Sequence, residues 1–379
     1  MRITKNLLIS LLLIFVALSI GIGIVLRLYY YNSDLISPFV GVSNQLEKPL
    51  PLNVYKIENL SKFPFMDSKI KIKEKIADFD GYSSYLFIYQ ASGGSISGQL
   101  NLPENFDKVD KVIVLLRGYV PSQTYVTGVG TKSAAGVFAK NGYITLSPDF
   151  LGYGQSDPES TNSWETRFIK SVNVIELIQN IEKSDFIYQY CLFNDKETTT
   201  NCQEEKVQEY SLGIWAHSNG GQVALTTLEA LNKPIPTTLW APVTAPFPYS
   251  ILFFSDEYQD EGKATRKWLS QFEDDYDVFD FSISRHLDRL EGSILLHHGT
   301  SDEAALQAWS LEFIDKVDVE NNLREENNLF IKEATEATEL STKELIDLTF
   351  YSYPGADHNM RPVWNSVISR DLEFFRQHL

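Results

Sequence analysis

Short, almost wholly apolar runs recur along this chain and alternate with longer stretches of helical period. No other feature limits the fold so strongly. KVIVLL at 111–116 reads as a strand buried on both faces, YSLGIWA at 210–216 as another buried strand, and YITLSP at 143–148, TTLWAPV at 237–243, GSILLHHG at 292–299 and LTFYSYPG at 348–355 as further strands. Helical patterns lie at 133–140, 165–183 and 220–231, and a last one follows LTFYSYPG to the C-terminus. The pattern at 165–183 carries Phe168, Val172, Val174, Ile175, Leu177, Ile178 and Ile181 as a broad apolar face. Strands alternating with helices give right-handed crossovers, hence an α/β fold with a mostly parallel central sheet and helices on both faces. Ahead of this region, two β-rich runs in residues 83–103 flank a Gly-Gly-Ser turn, which is a hairpin signal.

A chain of 379 residues, 43% hydrophobic, suffices for one large α/β domain with insertions or for two smaller ones. We expect one domain over 81–379, interrupted at about 184–209, 246–288 and 319–346. The 246–288 segment joins FPYSILFF to a charged helical run, and its place between two strands suits a small cap over the C-terminal edge of the sheet. Residues 319–346 are rich in Glu, Asn and Thr and read as a solvated insertion. Residues 32–80 read as a linker and a lead-in strand.

Residues 7–26 contain no charge and are long enough to cross a hydrocarbon core as a helix. Arg2 and Lys5 precede them, and Tyr29, Tyr30 and Tyr31 follow as an interfacial anchor. We therefore expect residues 1–31 to form an uncleaved membrane anchor, with the N-terminus cytoplasmic and the rest extracytoplasmic. A cleaved signal peptide is the alternative. Cys191 and Cys202 are the two cysteines. Their spacing is not that of a zinc site, and they read either as a disulfide closing a polar loop or as two thiols in a surface insertion.

The net charge of −17 argues against nucleic-acid partners and favours cationic or neutral substrates through a modest field effect. No His, Cys, Asp and Glu cluster has metal-ligand spacing, so no metal and no cofactor is expected.

The chemistry is concentrated in GIWAHSNGG, residues 213–221. A buried strand ends at Ala216, Ser218 sits on the turn, and a helix starts at about Asn219. A serine on such a strained turn is pushed out of the sheet, and only small neighbours such as Ala216 and Gly220 fit beside it. Serine needs a base held by a carboxylate. Asp302 follows one buried strand by a few residues, and His358 follows the last strand in the same way. The order Ser218, Asp302, His358 brings all three to the C-terminal edge, where open α/β sheets bind ligands. Glu303 and Asp357 are weaker candidates for the acid. His297, His298 and His217 read as packing or orienting groups. The oxyanion donors expected are the backbone N–H groups of Asn219 and of Tyr119, the latter in LLRGYVPS after the 111–116 strand. The Gly-rich loop at 148–157 is expected to shape the pocket.

AHSNGG, HHGTSDEA and YPGADHNM resemble the three catalytic segments of α/β-hydrolases, and within them the prolyl oligopeptidase and dienelactone-hydrolase-like branch. The resemblance covers about residues 80–379. It implies Ser218 as nucleophile, Asp302 as acid and His358 as base. Ala216 stands where that pattern has glycine, and Arg117 where it generally has histidine. The resemblance points first to a serine peptidase acting on a peptide. A carboxylesterase acting on small or lipid-like esters is the second reading, and a non-catalytic binding module on the same fold the third.

Overall fold

The computed structural model describes residues 49–194, 209–256, 258–333 and 342–379. The proposed anchor at 1–31 and Cys202 lie outside the described residues, and among those described no helix is long and apolar enough to cross a membrane. Residues from Pro51 to Leu379 form one compact unit.

Its centre is a nine-stranded sheet in the order β1-β2-β3-β5-β4-β6-β7-β8-β9. The strands are β1 (Lys71–Phe79), β2 (Tyr82–Ala91), β3 (Gly94–Pro103), β4 (Lys111–Leu116), β5 (Ile144–Pro148), β6 (Ser211–His217), β7 (Thr237–Trp240), β8 (Ser293–Gly299) and β9 (Asp347–Tyr353). The first three are antiparallel, as is the β3–β5 pair. From β5 to β9 every pairing is parallel. Among the described residues, eight helices of at least seven residues accompany the sheet: α1 (Lys132–Lys140), α2 (Ser163–Ile181), α3 (Phe186–Phe193), α4 (Asn219–Leu231), α5 (Tyr249–Ser255), α6 (Lys263–Glu273), α7 (Gln307–Glu333) and α8 (Trp364–His378).

Side chains alternate across a strand, so β4 feeds two cores at once. Val112, Val114 and Leu116 pack with α2 and α4 residues such as Val172, Ile175 and Leu225. Ile113 and Leu115 pack on the other face with Phe138 of α1 and Phe375 of α8. Parallel register then brings the ends of β4, β6, β7 and β8 to one edge: Leu116 lies opposite Ala216, His217 opposite Trp240, and Trp240 opposite His297.

Three segments differ from their sequence reading. The linker reading of 32–80 does not hold at Leu52, Tyr55, Ile57 and Leu60, which are buried in the larger core cluster, while the expected lead-in strand is present as Lys71–Phe79. Residues 319–333 are a continuation of α7 and not wholly solvated: Arg324 is buried and donates to the carbonyls of Leu287 and Leu290 at 2.9 and 3.0 Å. The strand expected at 237–243 stops at Trp240, since Ala241 takes a φ of 41° and turns the chain toward Ser218. In the insertion at 184–209, Cys191 is buried on α3 and disulfide-bonded.

Candidate active site

Ser218 stands between β6 and α4 with φ 57° and ψ −124°, a conformation that L-residues seldom adopt. The surroundings hold it there. Its N–H donates to Trp240 O at 2.9 Å, and its own carbonyl accepts from Val243 N–H at 3.0 Å. The early end of β7 thus serves the turn, because the chain leaves the sheet to reach that carbonyl. The glycines after Ser218 let α4 approach the sheet. A Cβ on Gly220 would lie 2.2 Å from Leu116 O, and one on Gly221 would lie 2.5 Å from Pro242 Cβ. Ala216 is fully buried in the core, where its methyl fits without displacing the turn.

The loop after β4 meets Ser218 directly. A Cβ on Gly118 would lie 2.8 Å from Ser218 Cβ and 3.3 Å from its Oγ. Arg117 fixes this loop. Its guanidinium donates to Gly118 O at 3.0 Å and to Asp149 O at 2.9 Å. It lies 4.1 Å from the Tyr153 ring centre and 4.5 Å from that of Tyr125. The peptide unit is planar and trans, so pinning the Gly118 carbonyl aims the Tyr119 N–H the opposite way. The Tyr119 side chain itself is 77% exposed. Burial pushes the Asp149 carboxyl up, while hydroxyl donors Ser97, Tyr125 and Thr127 at 2.6–2.8 Å pull it back.

At the ends of β8 and β9 the structure brings Asp302 and His358 together. His358 Nδ1–H donates to Asp302 Oδ2 at 2.8 Å. The Asp302 side chain is fully buried and that of His358 is 20% exposed. Asp302 Oδ1 accepts from the N–H groups of Ala304 and Ala305, each at 2.9 Å. Oδ2 accepts a second imidazole, His298 Nε2–H, at 3.1 Å. That hydrogen is shared with Ala305 O at 2.8 Å, and Ser310 Oγ lies 2.8 Å from the opposite nitrogen. Burial alone would raise the Asp302 carboxyl. The donors His298, His358 and Ala305 overcome it and hold the group well below the usual carboxylate range.

His217 also faces His358. The carbonyl of His358 can only accept, so His217 Nε2–H is the donor across 2.9 Å. The two rings are 4.7 Å apart. Burial, followed by the neighbouring His358, lowers His217 to about 4. Among the described residues Ser218 Oγ makes no hydrogen bond to His358.

The weaker candidates are accounted for. Glu303 is exposed. Asp357 accepts from the N–H groups of Asn359 and Arg361, both at 2.9 Å, and so shapes the loop that carries His358. His297 is buried against Asp371 at 3.0 Å and Tyr353 at 2.8 Å on the far side of the sheet end. Sequence reading left out Arg167 and Lys170 of α2, which line a cavity with Asn219. Their signal is a pair of cations spaced i, i+3 beside the apolar face of one helix. Among the described residues no group of three or more His, Cys, Asp or Glu is placed to hold a metal ion.

No family model and no curated protein matches the chain. Among solved structures it is similar to the acetyl xylan esterase from Paenibacillus sp. R4, at 14% identity and a TM-score of 0.52, over 85% of this chain and 92% of that one. It is similar to acetyl xylan esterase 1 from Thermoanaerobacterium sp. JW/SL YS485, at 14% identity and a TM-score of 0.50, over 85% and 94%. It is also similar to Porphyromonas gingivalis dipeptidyl peptidase 4, at 14% identity and a TM-score of 0.48, over 83% of this chain and 36% of that one. At such identities the likeness is one of fold, and the chain has the α/β-hydrolase fold.

Proposed function

We propose that this protein is a serine hydrolase that cleaves carboxylic esters through an acyl-enzyme. The observation that carries the reading is the Asp302–His358 pair, 2.8 Å apart, at the same sheet edge as the strained Ser218. Because His358 donates Nδ1–H to a carboxylate, Nε2 keeps its lone pair. Ser218 Oγ attacks the carbonyl carbon while His358 Nε2 takes the hydroxyl proton. Asp302 holds the imidazole in this tautomer and steadies the imidazolium. The tetrahedral oxyanion receives the backbone N–H groups of Asn219 and Tyr119, aided by the positive end of α4. His358 then protonates the leaving alkoxide. Water, activated by the same imidazole, frees the acid.

Esters rank first on the likeness in fold to acetyl xylan esterases. Peptide hydrolysis is the second reading, favoured by the resemblance of AHSNGG, HHGTSDEA and YPGADHNM to the prolyl oligopeptidase branch. Assays with 4-nitrophenyl esters of graded length, run beside peptidyl-aminomethylcoumarins that include a proline-containing one, separate the two. Ester turnover without amide turnover supports the first reading, and Ser218-dependent amide turnover replaces it with the second. No turnover and no reaction with a fluorophosphonate leave the binding-module reading.

We further infer that the domain works outside the cytoplasm, anchored by residues 7–26. The uncharged run behind Arg2 and Lys5 supports this, as does the disulfide at Cys191, since such bonds persist in oxidising compartments. Protease digestion of the domain on intact cells tests it. A domain degraded only after lysis contradicts it.

A further inference from the structure

Arg167 and Lys170 lie one turn apart on α2 and line the cavity of about 180 Å³ together with Asn219, Gln222 and Phe247. Asn219 is the residue after Ser218, so the cavity reaches the candidate nucleophile's own helix turn. Arg167 donates to Gln222 Oε1 at 3.2 Å and to Ser250 Oγ at 3.5 Å, and its guanidinium lies 5.7 Å from the Phe247 ring centre. These partners are all neutral. Among the described residues neither Arg167 nor Lys170 makes an ion pair. Burial lowers Arg167 to about 10 and Lys170 to about 8. Glu159 offsets part of the effect at Lys170, and Arg117 and Arg167 add to it.

Cations drawn partly out of water beside each other repel, and each is stabilised most by an anion that reaches both. A guanidinium fork matches the two oxygens of a carboxylate, and an ammonium adds a point charge. The first turn of α4, which supplies Asn219 and Gln222, adds a field of the same sign. A cavity of about 180 Å³ has room for a short acid.

Resting on the serine-hydrolase reading, we propose that this cavity receives a carboxylate on the substrate. The preferred substrates are then half-esters of short dicarboxylic acids. This reverses the expectation drawn from the net charge of −17, because selection is made by two local cations and not by the long-range field.

The test compares 4-nitrophenyl hydrogen adipate with 4-nitrophenyl hexanoate on the full chain, in the wild type, Arg167→Gln and Lys170→Gln. The expected result is a kcat/KM ratio of tenfold or more in favour of the half-ester, falling at least tenfold in each variant. Taking the ratio within one preparation cancels any loss of folded protein, and Lys170→Gln keeps the claim testable if Arg167→Gln does not fold. Calorimetric binding of adipate is measured in parallel, with fluorophosphonate labelling as the control on the serine. A ratio that is the same in all three proteins, or a labelled wild type that binds no adipate, overturns the proposal. Adipate binding lost in Arg167→Gln, with no labelling, keeps the carboxylate pocket and removes the hydrolase reading.

Discussion

His217 holds the backbone of His358: its Nε2–H donates to the His358 carbonyl across 2.9 Å, with the rings 4.7 Å apart. The bond needs a hydrogen on Nε2, which the neutral ring supplies in its Nε2–H tautomer. Burial lowers His217 to about 4, which keeps it neutral through the range in which such enzymes work. The neighbour of the candidate nucleophile is therefore a positioning residue for the candidate base. His217→Phe should lower kcat about tenfold with little change in KM, and His217→Gln should recover part of the loss.

The same residue sets a pH dependence of stability. Its folded value, about 4, lies below the ordinary value of 6.5. Between these limits the unfolded chain binds the proton and the folded chain does not. Stability therefore falls as pH drops from about 6.5 toward 4, by roughly 1–3 kcal/mol from this residue. Urea unfolding at pH 7 and pH 4.5 should show that His217→Gln loses less stability over this window than the wild type does.

Asp302 takes four hydrogen bonds, and His298 supplies one of the two on Oδ2. Asp302→Asn should lower kcat by roughly 10³–10⁴-fold, because an amide lets the imidazole take the wrong tautomer. His298→Gln should lower kcat less. It should also move acid unfolding to higher pH, since losing a donor to the ionised carboxyl raises its folded value and that stability is lost sooner as pH falls.

Arg117 fixes the Gly118 carbonyl from between Tyr125 and Tyr153. Lysine keeps the charge and loses the planar fork and the stacking. Arg117→Lys should therefore lower kcat about 10²-fold through misdirection of the Tyr119 N–H, with a smaller change in KM. Equal changes in kcat and in the amount of folded protein would mark the role as purely structural.

Gly220→Ala tests the close approach of α4. The added Cβ would meet Leu116 O at 2.2 Å, a backbone atom that cannot swing away. The substitution should destabilise the fold by about 3 kcal/mol, read from the urea midpoint, and displace the Ser218 turn.

Much of this is legible in the sequence. Apolar runs such as KVIVLL marked strands buried on both faces. Ser218, Asp302 and His358 each stand just past a strand end, so a parallel sheet had to gather them. What escaped the sequence reading lies in contacts between distant segments. His298 looked like strand packing, yet its i, i+4 spacing puts a second imidazole on Asp302. Arg167 and Lys170 gain their setting only when the fold places Asn219 and Gln222 of α4 and Phe247 around them. The end of β7 was misjudged because TTLWAPV stays apolar past Trp240, whereas Val243 is bound to Ser218 and not to a strand.

The most direct test of the account is the identity of the residue that reacts with a fluorophosphonate. The full chain is labelled, digested and mapped by mass spectrometry, with Ser218→Ala in parallel. The account predicts one adduct, on Ser218 in the wild type, with none in the variant. An adduct on another residue, or no adduct on a folded wild type, would contradict it.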